Sequence, residues 1–355
     1  MSRTLSLSVF KRPLSRRLML GACTALALSL GAVSGPAAAA EKITIIIGGM
    51  AKQIYLPAVL AERLGYYKEQ GLDVELLDAR AGVEAENELL AGAVQGVVGF
   101  YDHTIDLQAK GKFIESVVQF SQAPGEVELV AANLAGEIKS PADFKGRTLG
   151  VTGLGSSTDF LTQYLCVRNG LKPGEYSLLG VGAGNTFIAA IKQKQIAAGM
   201  TTEPTIARML STGEAKVLVD MRTPESTIAA LGGPYPAASL YMQSSWVDGH
   251  KADVQKLANA LVKSLRFIAS HSAADIADKM PKDYYAGNRD LYVKGLAEGK
   301  AQFTPDGRMP KNGPETVLKV LATFKKPLQD KQIDLSKTYT TAFVDAAAKT
   351  LGAAN

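Results

Sequence analysis

Three loops of the sequence combine polar, aromatic and glycine residues in patterns suited to holding a small molecule. The first contains Gly155, Ser156, Ser157 and Thr158, where a helix is expected to begin. Unpaired backbone N–H groups and the helix dipole favour a negative group at such a point, so a sulfonate, carboxylate or phosphate would suit it. Helix capping alone is the alternative, because Ser and Thr cap helices in many proteins.

The second loop has the sequence Phe100-Tyr101-Asp102-His103-Thr104 and follows a short apolar segment. An aromatic face together with a Tyr101 hydroxyl or a His103 ring nitrogen suits a ring or an anionic group. We therefore predict ligand contacts from Tyr101 and His103. In the alternative, Asp102 only caps the next helix and His103 is exposed.

The third loop runs from residue 48 to 55 and begins with two glycines. Glycines let a ligand approach the backbone, and Met50, Gln53 and Tyr55 are the predicted contacts. An ordinary strand-to-helix turn is the alternative. Further candidates are Asn185, Glu203 and Tyr235. The Glu203 carboxylate can accept a hydrogen bond from an amine or ring nitrogen, or it can cap the helix that follows.

These loops are expected at the carboxyl ends of strands in an α/β fold. Short apolar runs, such as residues 43–47, alternate with amphipathic segments, such as residues 55–64, and the same order starts again at residue 148. Repeated β-α order predicts a mostly parallel sheet covered by helices, with ligands bound beyond the carboxyl ends of the strands. Apolar segments at 127–132 and 237–242 suit a chain that crosses to a second lobe and returns. We expect one lobe from 41–132 plus 236–355 and another from 133–235.

The first forty residues are predicted to be a secretory signal peptide. A basic stretch that includes Arg16 and Arg17 precedes an apolar run and small residues that end at Ala40, where cleavage is expected. Residues 15–20 resemble a twin-arginine export signal, and a Sec signal fits equally well. Cys23 lies in a sequence that resembles a lipoprotein box, although it precedes most of the apolar run. A membrane anchor is the disfavoured alternative.

Charge and composition exclude several classes of function. The chain has 39 Lys and Arg against 34 Asp and Glu, and the first forty residues hold five of the basic residues and no acidic one. The remainder is balanced, so nothing predicts binding to nucleic acid. Beyond the leader the chain has one cysteine, Cys166, and its histidines are scattered. With no phosphate-binding loop or nucleophile elbow, we expect no metal, no cofactor and no enzymatic activity.

Three phrases occur in a particular order along the chain: AERLGYYKEQGLDVEL at 61–76, SPADFKGRTLGV at 140–151 and GSST at 155–158. They resemble the nitrate/sulfonate/taurine (NMT1/THI5-like, SsuA-like) family of periplasmic substrate-binding proteins of ABC transporters. The spacing fits from about residue 43 to 270. One departure is Gln95, near a turn where the family usually has Asp. The resemblance implies a two-lobe type II (Venus flytrap) fold with two crossovers.

This resemblance also implies a function. The expected protein is a periplasmic monomer that binds a small organic anion (sulfonate, taurine, nitrate or aromatic carboxylate) between its lobes and presents it to an ABC permease in the inner membrane. A thiamine pyrimidine precursor is the alternative ligand. The alternatives from other classes are a receptor-linked sensor and a pyrimidine synthase-like enzyme, although those synthases carry a Cys-rich motif that has no counterpart here.

Overall fold

The computed structural model describes residues 42–352, which form two five-stranded sheets flanked by helices. The predicted signal peptide and Cys23 lie outside these residues. The strands are β1 Lys42–Ile47, β2 Asp73–Asp78, β3 Gly96–Phe100, β4 Ile114–Gln119, β5 Glu126–Ala131, β6 Thr148–Val151, β7 Ser177–Gly180, β8 Ala198–Thr202, β9 Ala215–Met221 and β10 Ala238–Gln243. The α/β prediction is confirmed.

The helices lie mainly between the strands and after β10. They are α1 Leu56–Arg63, α2 Tyr66–Glu69, α3 Gly82–Leu90, α4 Asp102–Ala109, α5 Ser157–Arg168, α6 Asn185–Lys192, α7 Thr205–Ser211, α8 Pro224–Leu231, α9 Ser244–Gly249, α10 Lys251–Ser270, α11 Ala273–Ala277, α12 Arg289–Gly299, α13 Gly313–Ala322, α14 Lys326–Asp330 and α15 Ala342–Leu351. Short 3-10 helices cover Gln53–Tyr55, Ala132–Leu134, Pro141–Phe144, Lys282–Tyr285, Lys300–Gln302 and Leu335–Lys337. None of the described helices combines the length and apolar character needed to cross a membrane.

The two sheets share one topology. The first has the order β2-β1-β3-β10-β4 and the second the order β7-β6-β8-β5-β9. In the first sheet β10 runs antiparallel to both its neighbours, and in the second sheet β5 does the same. The chain enters the second lobe through β5 and returns to the first lobe through β10. The predicted two-crossover fold is therefore confirmed.

The hydrogen bonds of β5 place this strand in the second sheet, although the predicted lobe boundary after residue 132 assigned it to the first lobe. The chain changes sheet between Gln119 and Glu126. We propose that the first lobe ends in this segment. The predicted return of the chain to the first lobe, near residue 236, lies just before β10. The proposed second lobe therefore still ends at residue 235.

The core of the first lobe is built from β1, β3 and the long helix α10. The β-branched side chains Ile45 and Ile47 are buried on one side of β1. Residues at a spacing of three or four along α10, including Val254, Leu257 and Leu261, are buried in the same apolar cluster. The helical spacing of apolar residues after Trp246 thus produces the packed face that the sequence predicts.

A pair of glycines lets β6 and β8 approach closely in the second sheet. Gly150 and Gly199 are register partners in this parallel pair. A Cβ atom added to Gly199 would lie 2.6 Å from the carbonyl oxygen of Gly150. That contact is with backbone, so the strands would have to separate to accept a side chain.

We expect Gly199→Ala to destabilise the protein by about 1–3 kcal/mol, the usual cost of overpacking. The melting temperature should fall by several degrees. The control is Gly249→Ala, at the end of α9, where an added Cβ meets no atom within 4 Å. Thermal unfolding followed by circular dichroism measures both variants, and equal melting temperatures would contradict the predicted clash.

Candidate ligand site between the lobes

Loops from both lobes enclose a small cavity at the carboxyl edges of the two sheets. Its volume is about 10 Å³, room for about one water molecule. It is lined entirely by buried residues: Lys52, Ile54, Tyr55, Gly82, Phe100 and His103 from the first lobe, and Glu126, Thr152, Ser156, Ser157, Thr158 and Thr202 from the second. Most follow the carboxyl ends of parallel strands. Glu126 reaches the same edge because β5 is antiparallel and pairs Glu126 with Thr202.

The start of α5 is fastened to the first lobe by its hydroxyl groups. The Ser157 hydroxyl donates to Asp102 Oδ2 at 2.7 Å, and Ser156 Oγ accepts from the backbone N–H of Val83 at 3.3 Å. Thr158 Oγ1 instead accepts from the backbone N–H of Thr152. Gly155 has a φ of +88° at the preceding turn and does not line the cavity. These hydroxyls are therefore engaged by protein groups while their residues line the cavity.

Asp102 is the carboxylate that joins these parts. It accepts from Tyr235 at 3.0 Å as well as from Ser157, and it is fully buried. Burial raises the pKa of Asp102, and the neighbouring His103 and the two hydroxyl donors partly oppose the shift. Among residues 42–352 its Oδ1 atom has no hydrogen-bond partner. Tyr235, a predicted ligand contact, is itself buried and is placed against Asp102.

His103 lies deep between the two lobes, so the alternative of an exposed ring is wrong. Its Nδ1 atom is 3.2 Å from Glu86 Oε2 and also 3.2 Å from the Tyr241 hydroxyl. Its ring packs edge-on against Phe160 of α5. The other ring nitrogen, Nε2, has no hydrogen-bond partner within the described chain. His103 therefore lines the cavity, and its predicted ligand contact stays a prediction. Its Nε2 atom lies 3.8 Å from Asp102 Oδ1, beyond hydrogen-bond distance.

Lys52 and Glu126 are charged cavity residues that the sequence reading did not select. The Lys52 ammonium donates to the Gly48 carbonyl oxygen at 2.5 Å. Burial lowers the pKa of Lys52 to about 8, and the negative charges of Glu126, Asp78 and Glu84 oppose the shift. The pKa of Glu126 is raised well above its usual range by burial and then by Asp102, against the effect of Lys52. The acidic residue in the apolar run EVELVA was the available signal for Glu126.

Several predicted contacts lie elsewhere. Tyr101 is buried away from the cavity, with its hydroxyl bonded to Thr338. The backbone N–H of Gln53 donates to the Glu203 carbonyl oxygen, and its side chain donates to the Tyr292 carbonyl oxygen. Gln53 therefore joins segments of the protein and does not line the cavity. Tyr55 does line it, packed edge-on against a neighbouring ring.

A second, wider space of about 540 Å³ lies between the lobes, and Lys52 lines both spaces. We call it the outer chamber. Met50, Asn185 and Glu203 line it, so these three predicted residues lie outside the small cavity. Asn185 Oδ1 accepts from Arg208, and Glu203 Oε2 accepts from the N–H of a residue in α7. Glu203 therefore does cap its helix.

No group of three or more His, Cys, Asp or Glu side chains within residues 42–352 is arranged to hold a metal ion. The polar groups that line the cavity are one carboxyl group, one ammonium, one imidazole and several hydroxyls, and the Asp102 carboxyl lies behind Ser157. Such a set can bind a small polar molecule through hydrogen bonds and charge.

Comparison with known proteins gives a consistent picture. The family described as "NMT1/THI5 like" matches residues 54–274. A solved structure from Bordetella bronchiseptica is 33% identical and superposes with a TM-score of 0.84, over 87% of this chain and 98% of that one. The periplasmic nitrate-binding protein of Synechocystis is 13% identical, with a TM-score of 0.68 over 88% of this chain and 89% of its own. That likeness supports the fold alone.

Sequence similarity also extends to an enzyme. The 4-amino-5-hydroxymethyl-2-methylpyrimidine phosphate synthase of Saccharomyces cerevisiae is 28% identical over 167 residues, which are 46% of each protein. The chain thus spans about half the length of this curated relative.

Glu128, two residues beyond Glu126 on β5, generates a prediction for the pH dependence of stability. Burial raises the pKa of Glu128 to about 8. Between about pH 4.5 and 8 the folded protein therefore holds a proton that the unfolded chain has lost, so the free energy of unfolding falls as pH rises. Glu128→Gln should remove about 3 kcal/mol of the change between pH 5 and pH 8.

Urea unfolding at the two pH values measures this difference. The control is Glu88→Gln, on the exposed face of α3, which should keep the wild-type pH dependence. If Glu128→Gln and the wild type lost the same free energy between pH 5 and pH 8, Glu128 would not be the titrating group.

Proposed function

Because the chain belongs to the NMT1/THI5-like family, we propose that it is an extracytoplasmic solute-binding protein that carries a small molecule between its lobes to an ABC importer. The observation that carries the proposal is the cavity itself. Residues of both lobes meet around it at the edges where ligands bind in open α/β sheets. A ligand there would contact both lobes at once and so favour the closed arrangement over an open one.

Polar contacts near the outer chamber support this closing motion. The Arg222 guanidinium of the second lobe lies 3.2 Å from Glu203 Oε1 and 2.8 Å from Glu298 Oε2 on α12 of the first lobe. The Arg222–Glu298 ion pair and the bond from the Gln53 N–H to the Glu203 carbonyl oxygen form a small set of bonds between the lobes. The pair that joins the lobes, Arg222 with Glu298, is partly exposed, and such pairs contribute little free energy. Ligand contacts are therefore able to decide between open and closed forms.

The proposed ligand remains a small organic anion of the predicted set, which is a sulfonate, taurine, nitrate or an aromatic carboxylate. The start of α5 and the Lys52 ammonium support an anionic group. The proposed partner is a permease in the inner membrane, and the proposed location of the protein, acting as a monomer, is the periplasm.

A second candidate function is catalysis, which the partial likeness to the pyrimidine phosphate synthase favours. A thiamine pyrimidine precursor is the corresponding alternative ligand for a binding protein. The sequence has two cysteines, Cys23 and Cys166, and nothing resembling the Cys-rich motif of those synthases. Binding without catalysis is therefore our proposal, and incubation with a pyrimidine ligand followed by mass spectrometry tests it. A decrease in the mass of the protein chain itself would mean that part of the chain had been consumed in a reaction, which would favour the enzyme.

Ser157→Ala tests the proposed site. The substitution removes the bond between α5 and Asp102 and leaves the buried carboxylate with one donor fewer, so ligand affinity should fall about tenfold. A thermal-shift screen with nitrate, bicarbonate, sulfonates, carboxylates and aminopyrimidines first identifies a compound that stabilises the wild type. Titration calorimetry with that compound then compares the variants.

The matched control for this experiment is Ser177→Ala on β7, whose side chain is exposed. It should bind the compound as tightly as the wild type does. Equal affinity in Ser157→Ala and Ser177→Ala would place the ligand elsewhere on the protein.

A further inference from the structure

We infer that the cavity recognises a hydrogen-bond-donating nitrogen, so that the ligand carries an amino or ammonium group that lies against Glu126. This inference rests on the proposed function, because it concerns the ligand of the same site. It narrows the ligand class, since nitrate and simple alkylsulfonates have no such nitrogen.

The first argument is that polar atoms without partners surround this cavity. Glu126 is 2% exposed, and its Oε2 atom has no hydrogen-bond partner in the described part of the chain. The same holds for Thr202 Oγ1, from the register partner of Glu126, and for His103 Nε2 on the first lobe. Buried polar atoms are almost always paired, and leaving one unpaired is costly. Three such atoms from three elements around one cavity point to a molecule that supplies their partners.

The second argument is the charge of the side chains that a bound ligand would contact. Glu126 lines the cavity and Asp102 lies directly behind Ser157, each with one oxygen lacking a partner. The opposing cation on the lining is Lys52, whose ammonium already donates to a backbone carbonyl. Burial and Asp102 raise the pKa of Glu126, so its negative charge is costly without a donor. An N–H group placed against Glu126 donates to the oxygen that lacks a partner and favours the carboxylate form, whereas an oxyanion there brings a further negative charge beside Asp102.

The third argument concerns the hydroxyl groups that would otherwise receive an anion. The Ser157 hydroxyl is used as a donor to Asp102, and the Thr158 hydroxyl is bonded to Thr152. They have little donating capacity left for an incoming oxyanion. An anionic group on the ligand is then left with Lys52, the backbone at the start of α5, and the Ser156 and Thr202 hydroxyls, which donate to no group in the described chain. A molecule that carries both an amino group and an anion can use both ends of the site.

Matched pairs of small probes test the inference. Taurine and ethanesulfonate differ by an amino group, as do 4-aminopyrimidine and pyrimidine. Titration calorimetry measures the four affinities for the purified wild-type protein. In at least one pair we expect the amino-bearing member to bind at least tenfold more tightly.

Two substitutions on β5 then test whether Glu126 causes the preference for the amino-bearing probe. Glu126→Gln keeps the side-chain shape and removes the negative charge, and it should weaken binding of the amino-bearing probe at least tenfold. Glu128→Gln is the matched control, because Glu128 is also buried on β5 but bonds to Thr162 and does not line the cavity. It should leave the affinity within twofold of wild type. Melting temperatures without probe show that both variants are folded.

The inference is overturned if the probe without the amino group binds as tightly as its partner, or if Glu126→Gln keeps the preference. A protonated Glu126 that donates to an anion would give the first result, and the proposed function would stand. Silence from all four probes would also overturn the inference as stated. The broader screen that includes nitrate, bicarbonate and carboxylates would then decide the proposed function separately.

Discussion

The Asp102 carboxylate holds together three parts of the chain that are far apart in sequence. It is the first residue of α4 in the first lobe, and it accepts hydrogen bonds from Ser157 at the start of α5 and from Tyr235 on the segment that returns from the second lobe. A fully buried carboxylate is stable only when donors surround it. The position of α5 is therefore tied to the first lobe by an electrostatic requirement, and the cavity is the space that this arrangement leaves.

Several other ionisable groups are buried in this region, and each of them also needs hydrogen-bond partners. Lys52, His103 and Glu126 line the cavity, and Glu86 contacts His103. All four are buried. In the proposed closing motion each would lose hydration, and unpaired atoms among them would make an empty closed form costly. The cavity as described has room for about one water molecule, so a larger guest needs the lobes to stand further apart. A guest that completes the hydrogen bonds of these groups would lower the free energy of that closed form specifically. Such a difference between two states is what a protein needs in order to change shape on binding.

Much of the fold follows from local sequence patterns. The β-branched run at residues 43–47, the helical spacing after Trp246 and the two crossing segments all form what the sequence predicts, because these signals act over a few residues. The position of the site at the carboxyl edges of the sheets is a consequence of parallel strand order. Gln95 lies near the turn where the family usually has Asp. Its side-chain oxygen accepts a hydrogen bond from the backbone N–H of Thr44.

The identities of the cavity residues were harder to predict because they depend on direction and register. Tyr101 and Asp102 are adjacent, yet at the start of a helix successive side chains point about 100° apart. One therefore meets Thr338, and the other meets Ser157. Glu126 reaches the cavity only because an antiparallel strand pairs it with Thr202, seventy-six positions later. No local pattern contains that pairing.

The small volume of the inner cavity has a kinetic consequence. Every residue that lines it is buried, and the space holds about one water molecule. A guest larger than water cannot diffuse in or out while this arrangement persists. In the proposed binding cycle, exchange waits for the lobes to separate, so the opening frequency of the protein would set the residence time of a tightly held molecule. A partner protein that separates the lobes would thus accelerate ligand release without competing for any contact in the site.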